Sequence, residues 1–129
     1  MGSKARWPLA TGRQTVLVVE DEPLQRLMAL DLVEEAGFAA VPAASAQQAL
    51  RVLESRTDII IVFTDIDLPG GLDGMRLAAM IRDRWPPIQF IVTSGHMATD
   101  AVLLPPNSQF FAKPYQHERI VQALRQMAS

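Results

Sequence analysis

The run Ile59-Ile60-Ile61-Val62-Phe63 constrains this chain more than any other stretch. Consecutive apolar residues rich in β-branched side chains suit a strand buried on both faces of a parallel sheet. Thr64 and Asp65 follow, then Ile66, a second acid at Asp67, and the turn sequence Leu68-Pro69-Gly70-Gly71. Pro-Gly-Gly neither continues a strand nor opens a regular helix, so the chain turns there. Asp65 is therefore expected at the carboxyl end of a central strand, the edge at which open α/β sheets bind ligands.

The other segments can be read by what they bring to that edge. Thr15-Val16-Leu17-Val18-Val19 is a first strand, and it ends in the acidic cluster Glu20-Asp21-Glu22, closed by Pro23. Proline suits the first turn of a helix, where its missing N–H costs nothing. The spacing predicts a helix over 23–36, with Leu24, Leu27, Met28 and Leu32 as its buried face and Gly37 at its end. Residues 38–43 read as a strand, and Pro42 places it at a sheet edge. Ser45 caps a helix reaching about residue 55, with Ala46, Ala49, Leu50 and Leu53 inward. After the central strand, near 58–64, Asp73-Gly74 leads into a third helix. Leu77, Ala78, Ile81 and Trp85 lie on its inner side, and Pro86-Pro87 stops it. Residues 88–93 form a fourth strand that ends in Ser94-Gly95-His96. Helical turns at 98–104 are cut short by Pro105-Pro106, so the fourth helix is expected to be short or irregular. Residues 109–112 form a fifth strand closed by Lys113-Pro114. A last helix over 117–127 turns Ile120, Val121, Leu124 and Met127 inward.

Strand and helix alternate five times in 129 residues, which fits one domain. Such alternation implies parallel strands joined by right-handed crossovers. The natural solution is a doubly wound α/β sandwich of five βα units. Strand order 2-1-3-4-5 puts the Pro42 strand at an edge and the Ile59 strand in the middle. Residues 1–13 show no period and are expected to be a flexible tail before a folded domain over 14–129. The absence of cysteine removes disulfides, thiolate catalysis and Cys-ligated zinc. A net charge of −2 without a basic stripe argues against nucleic acid. No apolar run is long enough to span a membrane, and a cytoplasmic location is expected.

The strand ends carry the chemistry. Glu20 and Asp21 follow the first strand, Asp65 and Asp67 the third, Ser94 the fourth and Lys113 the fifth. The first and third strands are neighbours in the expected order, so Glu20, Asp21 and Asp65 should converge. Two unit charges about 4 Å apart cost roughly 4 kcal/mol at an effective dielectric near 20. A hard divalent cation held by oxygens offsets that, and Mg²⁺ suits a site with few carboxylates and retained waters. Lys113 adds an ammonium and Ser94 a hydroxyl. Together these groups form a holder for a phosphoryl group on Asp65, since a carboxylate can accept phosphoryl as an aspartyl-phosphate. The cation and Lys113 would neutralise the transferring oxygens. Taken singly, each residue has a plainer reading. Acids favour helix N-termini, Ser94 suits a turn, Lys113 a solvated surface and His96 an exposed loop.

Several motifs resemble those of the receiver domains of two-component response regulators, and the resemblance covers residues 15–128. They are Val18-Val19-Glu20-Asp21-Glu22-Pro23, Thr64-Asp65-Ile66-Asp67-Leu68-Pro69-Gly70, Asp73-Gly74, Val92-Thr93-Ser94-Gly95 and Phe111-Ala112-Lys113-Pro114. The resemblance implies a flavodoxin-like fold with Asp65 as phosphoacceptor. It implies Mg²⁺ held by Asp21, Asp65 and the backbone carbonyl of Asp67, with Glu20 acting through water. It gives Ser94 the switch hydroxyl role, Phe110 the switch aromatic role, and Lys113 a phosphate contact through a Lys-Pro bond that is commonly cis. Asp67 and His96 match two variable positions that tune the lifetime of the phosphoryl group. Three departures stand out: an extra residue at Gly71, a short Ser94-to-Lys113 interval containing Pro105-Pro106, and a phenylalanine where many relatives carry tyrosine.

The expected function is that of a stand-alone response regulator rather than an enzyme. It would take a phosphoryl group from a histidine kinase or histidine phosphotransfer protein and switch a contact with a downstream protein target. No nucleic-acid or membrane partner is expected, and the chain should be a monomer or weak dimer. One alternative is a degenerate receiver that binds a partner without phosphorylation. The other is a haloacid-dehalogenase-type phosphatase, which also uses Asp-x-Asp after an apolar strand, but on the first strand rather than the third.

Overall fold

β3 (Ile59–Asp65) lies at the centre of a five-stranded parallel sheet of order β2-β1-β3-β4-β5. The computed structural model describes residues 14–68, 74–95 and 105–129. β1 (Thr15–Val19) and β4 (Gln89–Ser94) flank β3, and β2 (Ala39–Ala43) and β5 (Ser108–Ala112) form the edges. All of β1 is buried, as is β3 except for Ile60, which explains why their sequences do not alternate. Pro42, exposed on β2, sits at an edge as its missing N–H requires. A register shift between Thr15 and Val16 displaces β1 against β3, so Ile59 and Ile61 face opposite sides of the sheet.

Two apolar layers cover the sheet. On one face Leu17, Val19, Val62, Phe90 and Val92 pack against Ala46, Ala49 and Leu53 of α2 (Ala46–Ser55) and Leu77, Ala78 and Ile81 of α3 (Gly74–Arg84). On the other, Val16, Val18, Ile61, Phe63 and Ile91 meet α1 (Pro23–Glu35) and α4 (His117–Ala128). Each large side chain fully buried here contributes about 1.5–3 kcal/mol relative to exposure. α2 is capped by Ser45, whose Oγ accepts from Gln48 N–H at 3.1 Å, while Gln48 Oε1 reaches one residue further back than in a capping box and accepts from Ala44 N–H at 2.7 Å. α1 is capped by Glu22, whose carboxylate accepts from Leu24 N–H at 3.0 Å. Gly37 follows it with φ 105°, a conformation glycine adopts without strain.

The buried face of α1 differs from the expected one. Leu24, Leu27 and Met28 are 64%, 55% and 60% exposed, and only Leu32 of the expected set is buried. The inward stripe is Ala29, Leu32, Val33 and Ala36, which recur at i, i+3, i+4 and i+7. This stripe packs in one cluster with Val16 and Val18 of β1, Phe38, and Ile120 and Leu124 of α4. The other helices keep their expected faces, with Leu50, Trp85 and Met127 half-buried at the margins. The expected fourth helix at 98–104, the Gly70-Gly71 turn, Asp73, His96 and the segment 1–13 lie outside the described residues.

Candidate functional site

Strand pairing runs one step past several strand ends and aligns the residues there. Glu20 N–H donates to Ala43 O at 3.0 Å, Ile66 N–H to Thr93 O at 2.9 Å and Lys113 N–H to Ser94 O at 2.8 Å. Asp65 pairs with Thr93, and Ser94 with Ala112. These bonds bring Glu20, Asp65, Ser94 and Lys113 to one edge of the sheet.

Lys113 occupies the middle of the group. Its Nζ lies 2.5 Å from Asp65 Oδ2, 3.5 Å from Glu20 Oε2 and 3.0 Å from Gln25 Oε1. The Lys113-Pro114 bond is cis. The other oxygen of Asp65, Oδ1, accepts from Asp67 N–H at 2.8 Å. Glu20 Oε1 accepts from Glu22 N–H at 3.2 Å, and Arg26 Nη1 donates to Glu20 O at 3.0 Å. The Asp67 carboxylate turns toward β4, where Oδ2 accepts from Ser94 Oγ at 3.0 Å and Gly95 N–H at 3.2 Å.

Glu20 and Asp65 are buried, whereas Asp21 is exposed. Burial pushes the Glu20 carboxyl above its ordinary pKa. The Glu22 N–H and the Lys113 ammonium work against that, and the charges of Asp65 and Asp21 add to it. For Lys113, burial disfavours the ammonium, but the hydrogen bond and charge of Asp65, with Glu20, outweigh it and raise the pKa. Lys113 is thus held charged and cannot act as a base at neutral pH.

One carboxylate oxygen from each of Glu20, Asp21 and Asp65 lies within 4.8 Å of the others. Lys113 brings one positive charge against these three acids, so the group keeps excess negative charge. An all-oxygen donor set with that balance fits a hard cation of the Mg²⁺ type better than zinc, which favours nitrogen and sulfur.

Phe110 is half-buried and packs against the α2–α3 layer, while Phe111 beside it faces the other. His96 is outside the described residues. The contact of Gln25 and the close packing of Gly74, a residue of the Asp73-Gly74 motif, were not anticipated. Gln25 is a third partner of Lys113; it falls on the Ala29–Leu32 stripe of α1, and a polar residue on that stripe was the available signal. Gly74 opens α3 directly against β3: a Cβ there would overlap the Ile66 Cα and the Asp65 carbonyl oxygen. Its N–H donates to Ile66 O at 3.2 Å.

Residues 16–125 match the family model of the response regulator receiver domain. The chain belongs to the response regulator receiver family. A crystal structure of a response regulator receiver protein from Sinorhizobium medicae superposes with a TM-score of 0.83 at 28% identity, covering 89% of this chain and 94% of that one. The receiver fold recurs in TrrA of Thermotoga maritima, solved in complex with Mg(2+)-BeF. Its TM-score is 0.77 at 20% identity, covering 88% of this chain and 98% of that one. Sensor kinase CckA of Brucella abortus is 32% identical over 122 residues, 91% of this chain. The chain spans only 13% of the length of CckA, and 12% to 24% of other curated relatives.

As a receiver domain, the chain has the fold of signalling proteins rather than of a typical enzyme family, and the haloacid-dehalogenase alternative falls. Its Asp-x-Asp motif stands on the third strand, where the receiver sheet places it, and Asp67 engages Ser94. Among the described residues no helix is long and apolar enough to cross a membrane.

Proposed function

We propose that the receiver unit, residues 14–129, accepts a phosphoryl group on Asp65 from a phosphohistidine of a histidine kinase or phosphotransfer protein. The contact between Lys113 Nζ and Asp65 Oδ2 carries this reading, because it sets a fixed ammonium closest to the buried carboxylate at the end of the central strand. A carboxylate oxygen of Asp65 attacks phosphorus. A P–O bond forms as the donor's P–N bond breaks, and the electron pair returns to the imidazole nitrogen. Asp67 N–H and Lys113 hold the Asp65 side chain in one rotamer for that attack. Asp21, Asp65 and the Asp67 carbonyl, with Glu20 through water, would hold Mg²⁺, which would supply positive charge for the transferring oxygens.

Lys113 then keeps a charge-assisted bond to the phosphoryl group, and Ser94 donates its hydroxyl to it. Phe110 follows by changing its packing, which alters the β4–β5 face presented to a target. Leu24, Leu27 and Met28 form an exposed strip on α1, and Met28 brings it to the site. With Gln25, Pro114 and Tyr115, Met28 lines a groove of about 400 Å³ beside Lys113. Such a strip suits an apolar patch on the phosphoryl donor.

Incubation with Mg²⁺ and a small acyl phosphate tests the reading by intact-mass measurement. The wild type should gain one phosphoryl group and Asp65→Asn none. Equal incorporation in both, or none in the wild type, would overturn it.

A further inference from the structure

We infer that Asp67 is a positioning residue that holds the Ser94 hydroxyl in the resting state and competes for it with a phosphoryl group on Asp65. The inference rests on the phosphoacceptor reading of Asp65 and adds to it the group that opposes switching. Asp67 Oδ2 accepts two hydrogen bonds from the end of β4, from Ser94 Oγ and from Gly95 N–H. The Asp67 N–H is anchored on Asp65 Oδ1, so the same residue spans acceptor and switch. Ser94 is 1% exposed, and its carbonyl is tied to Lys113 N–H, which leaves rotation of the hydroxyl as its cheapest movement.

A serine hydroxyl has one proton to donate. Asp67 and an ionised phosphoryl group are both acceptors at neutral pH, so Ser94 can serve only one of them through that proton. The hydrogen bond to a carboxylate is charge-assisted and stronger than one between neutral groups. Phosphorylation must therefore displace Asp67 from Ser94 before the hydroxyl can bond the new group. A ligand shifts such an equilibrium only by its differential affinity for the two states, so Asp67 sets how much of that affinity is spent.

The test is binding of beryllofluoride with Mg²⁺ to the wild type, Asp67→Ala, Asp67→Asn, Ser94→Ala and the Asp67→Ala/Ser94→Ala double variant. Asp67→Ala should raise the affinity about tenfold when Ser94 is present. The same change should have less than about a twofold effect in the Ser94→Ala background. Asp67→Asn, which is neutral but still an acceptor, should fall between the wild type and Asp67→Ala. Equal gains in both backgrounds, or Asp67→Asn matching Asp67→Ala, would mean that charge alone acts and would overturn the competition. An independent reading comes from the metal-free protein without any phosphoryl mimic. There the Gly95 amide proton should move upfield in Asp67→Ala, and an unmoved resonance would also overturn the inference. Failure of the wild type to bind beryllofluoride at all would instead count against Asp65 as acceptor.

Discussion

Lys113 reaches Asp65 across 48 residues of sequence and sets its ammonium 2.5 Å from Oδ2. The pair is nearly sequestered, with the Asp65 side chain 6% and the Lys113 side chain 23% exposed. It is also asymmetric: Lys113 has Glu20 and Gln25 as further partners, while Asp65 has the Asp67 N–H. Lys113 therefore acts as the resident cation of an acidic cluster.

Replacing Lys113 by methionine leaves those acids uncompensated. Urea unfolding of metal-free Lys113→Met should show a loss of about 2 kcal/mol, below the range for fully buried pairs because Lys113 is partly solvated. Mg²⁺ should raise the melting temperature of the wild type, and by more in the variant, because a ligand that binds only the folded state stabilises it. Chelation should reverse both gains. An equal or smaller response in the variant would show that Lys113 does not compete with the cation for the same charge.

The two faces of α1 should respond differently to substitution. Leu27→Ser and Met28→Ser, on exposed positions, should change unfolding free energy by no more than about 0.5 kcal/mol. Leu32→Ala, 2% exposed, should cost about 2–5 kcal/mol. The exposed pair should instead slow phosphotransfer from a histidine kinase while leaving acyl-phosphate labelling unchanged. Comparable destabilisation of all three would return Leu27 and Met28 to the core.

Gly74→Ala should be destabilising although it lies at a helix start, where alanine normally costs little. Its Cβ would press on the backbone of Asp65 and Ile66, which cannot rotate away. Overpacking of this kind costs about 1–3 kcal/mol. The displaced carboxylate should also lower the rate of phosphoryl uptake. A variant with wild-type stability would mean that α3 can recede from β3 at no expense.

A pH dependence arises at the opposite edge of the sheet. Arg56 bonds both oxygens of Asp58, at 2.9 and 2.7 Å, and Thr15 Oγ1 adds a bond at 2.9 Å. Led by the Arg56 bond, these lower the Asp58 pKa well below its ordinary 3.8. The folded pKa is the depressed one, so the contribution is complete above the unfolded pKa and fades as pH falls toward the folded value. The pair is about half exposed, so its worth is below about 1 kcal/mol. Asp58→Asn should therefore be slightly less stable than the wild type near about pH 6, and the gap should narrow near about pH 2.5. A gap that does not change with pH would assign the effect to packing.

The sheet was readable because its signals are local. An unbroken run such as Ile59 to Phe63 has one stable placement, between two helical layers, and Pro42 has only an edge. α2 and α4 were readable because each carries a single apolar stripe opposite a polar face. α1 was not, since it carries two apolar stripes, Leu24–Leu27–Met28 and Ala29–Leu32–Val33, and periodicity weights the larger residues. Which stripe faces the sheet is set by the rotation of α1 against β1 and α4 in the packed chain. The Gln25 contact and the reason for a glycine at position 74 were missed for a related reason, because their partners Lys113, Asp65 and Ile66 are distant in sequence or meet them only through backbone packing.

By itself, the sequence determined the alternation of strand and helix, the central place of Ile59 to Asp65, and the set of residues left at the strand ends. Those follow from side-chain chemistry and short-range spacing. Tertiary structure alone decided which of these groups touch: Lys113 on Asp65 and Gln25, Asp67 on Ser94 and Gly95, and the Ala29–Leu32–Val33 face of α1 on the sheet. A hydrogen bond or ion pair forms over about 3 Å. Such contacts depend on strand register and helix approach, which only the packed chain sets.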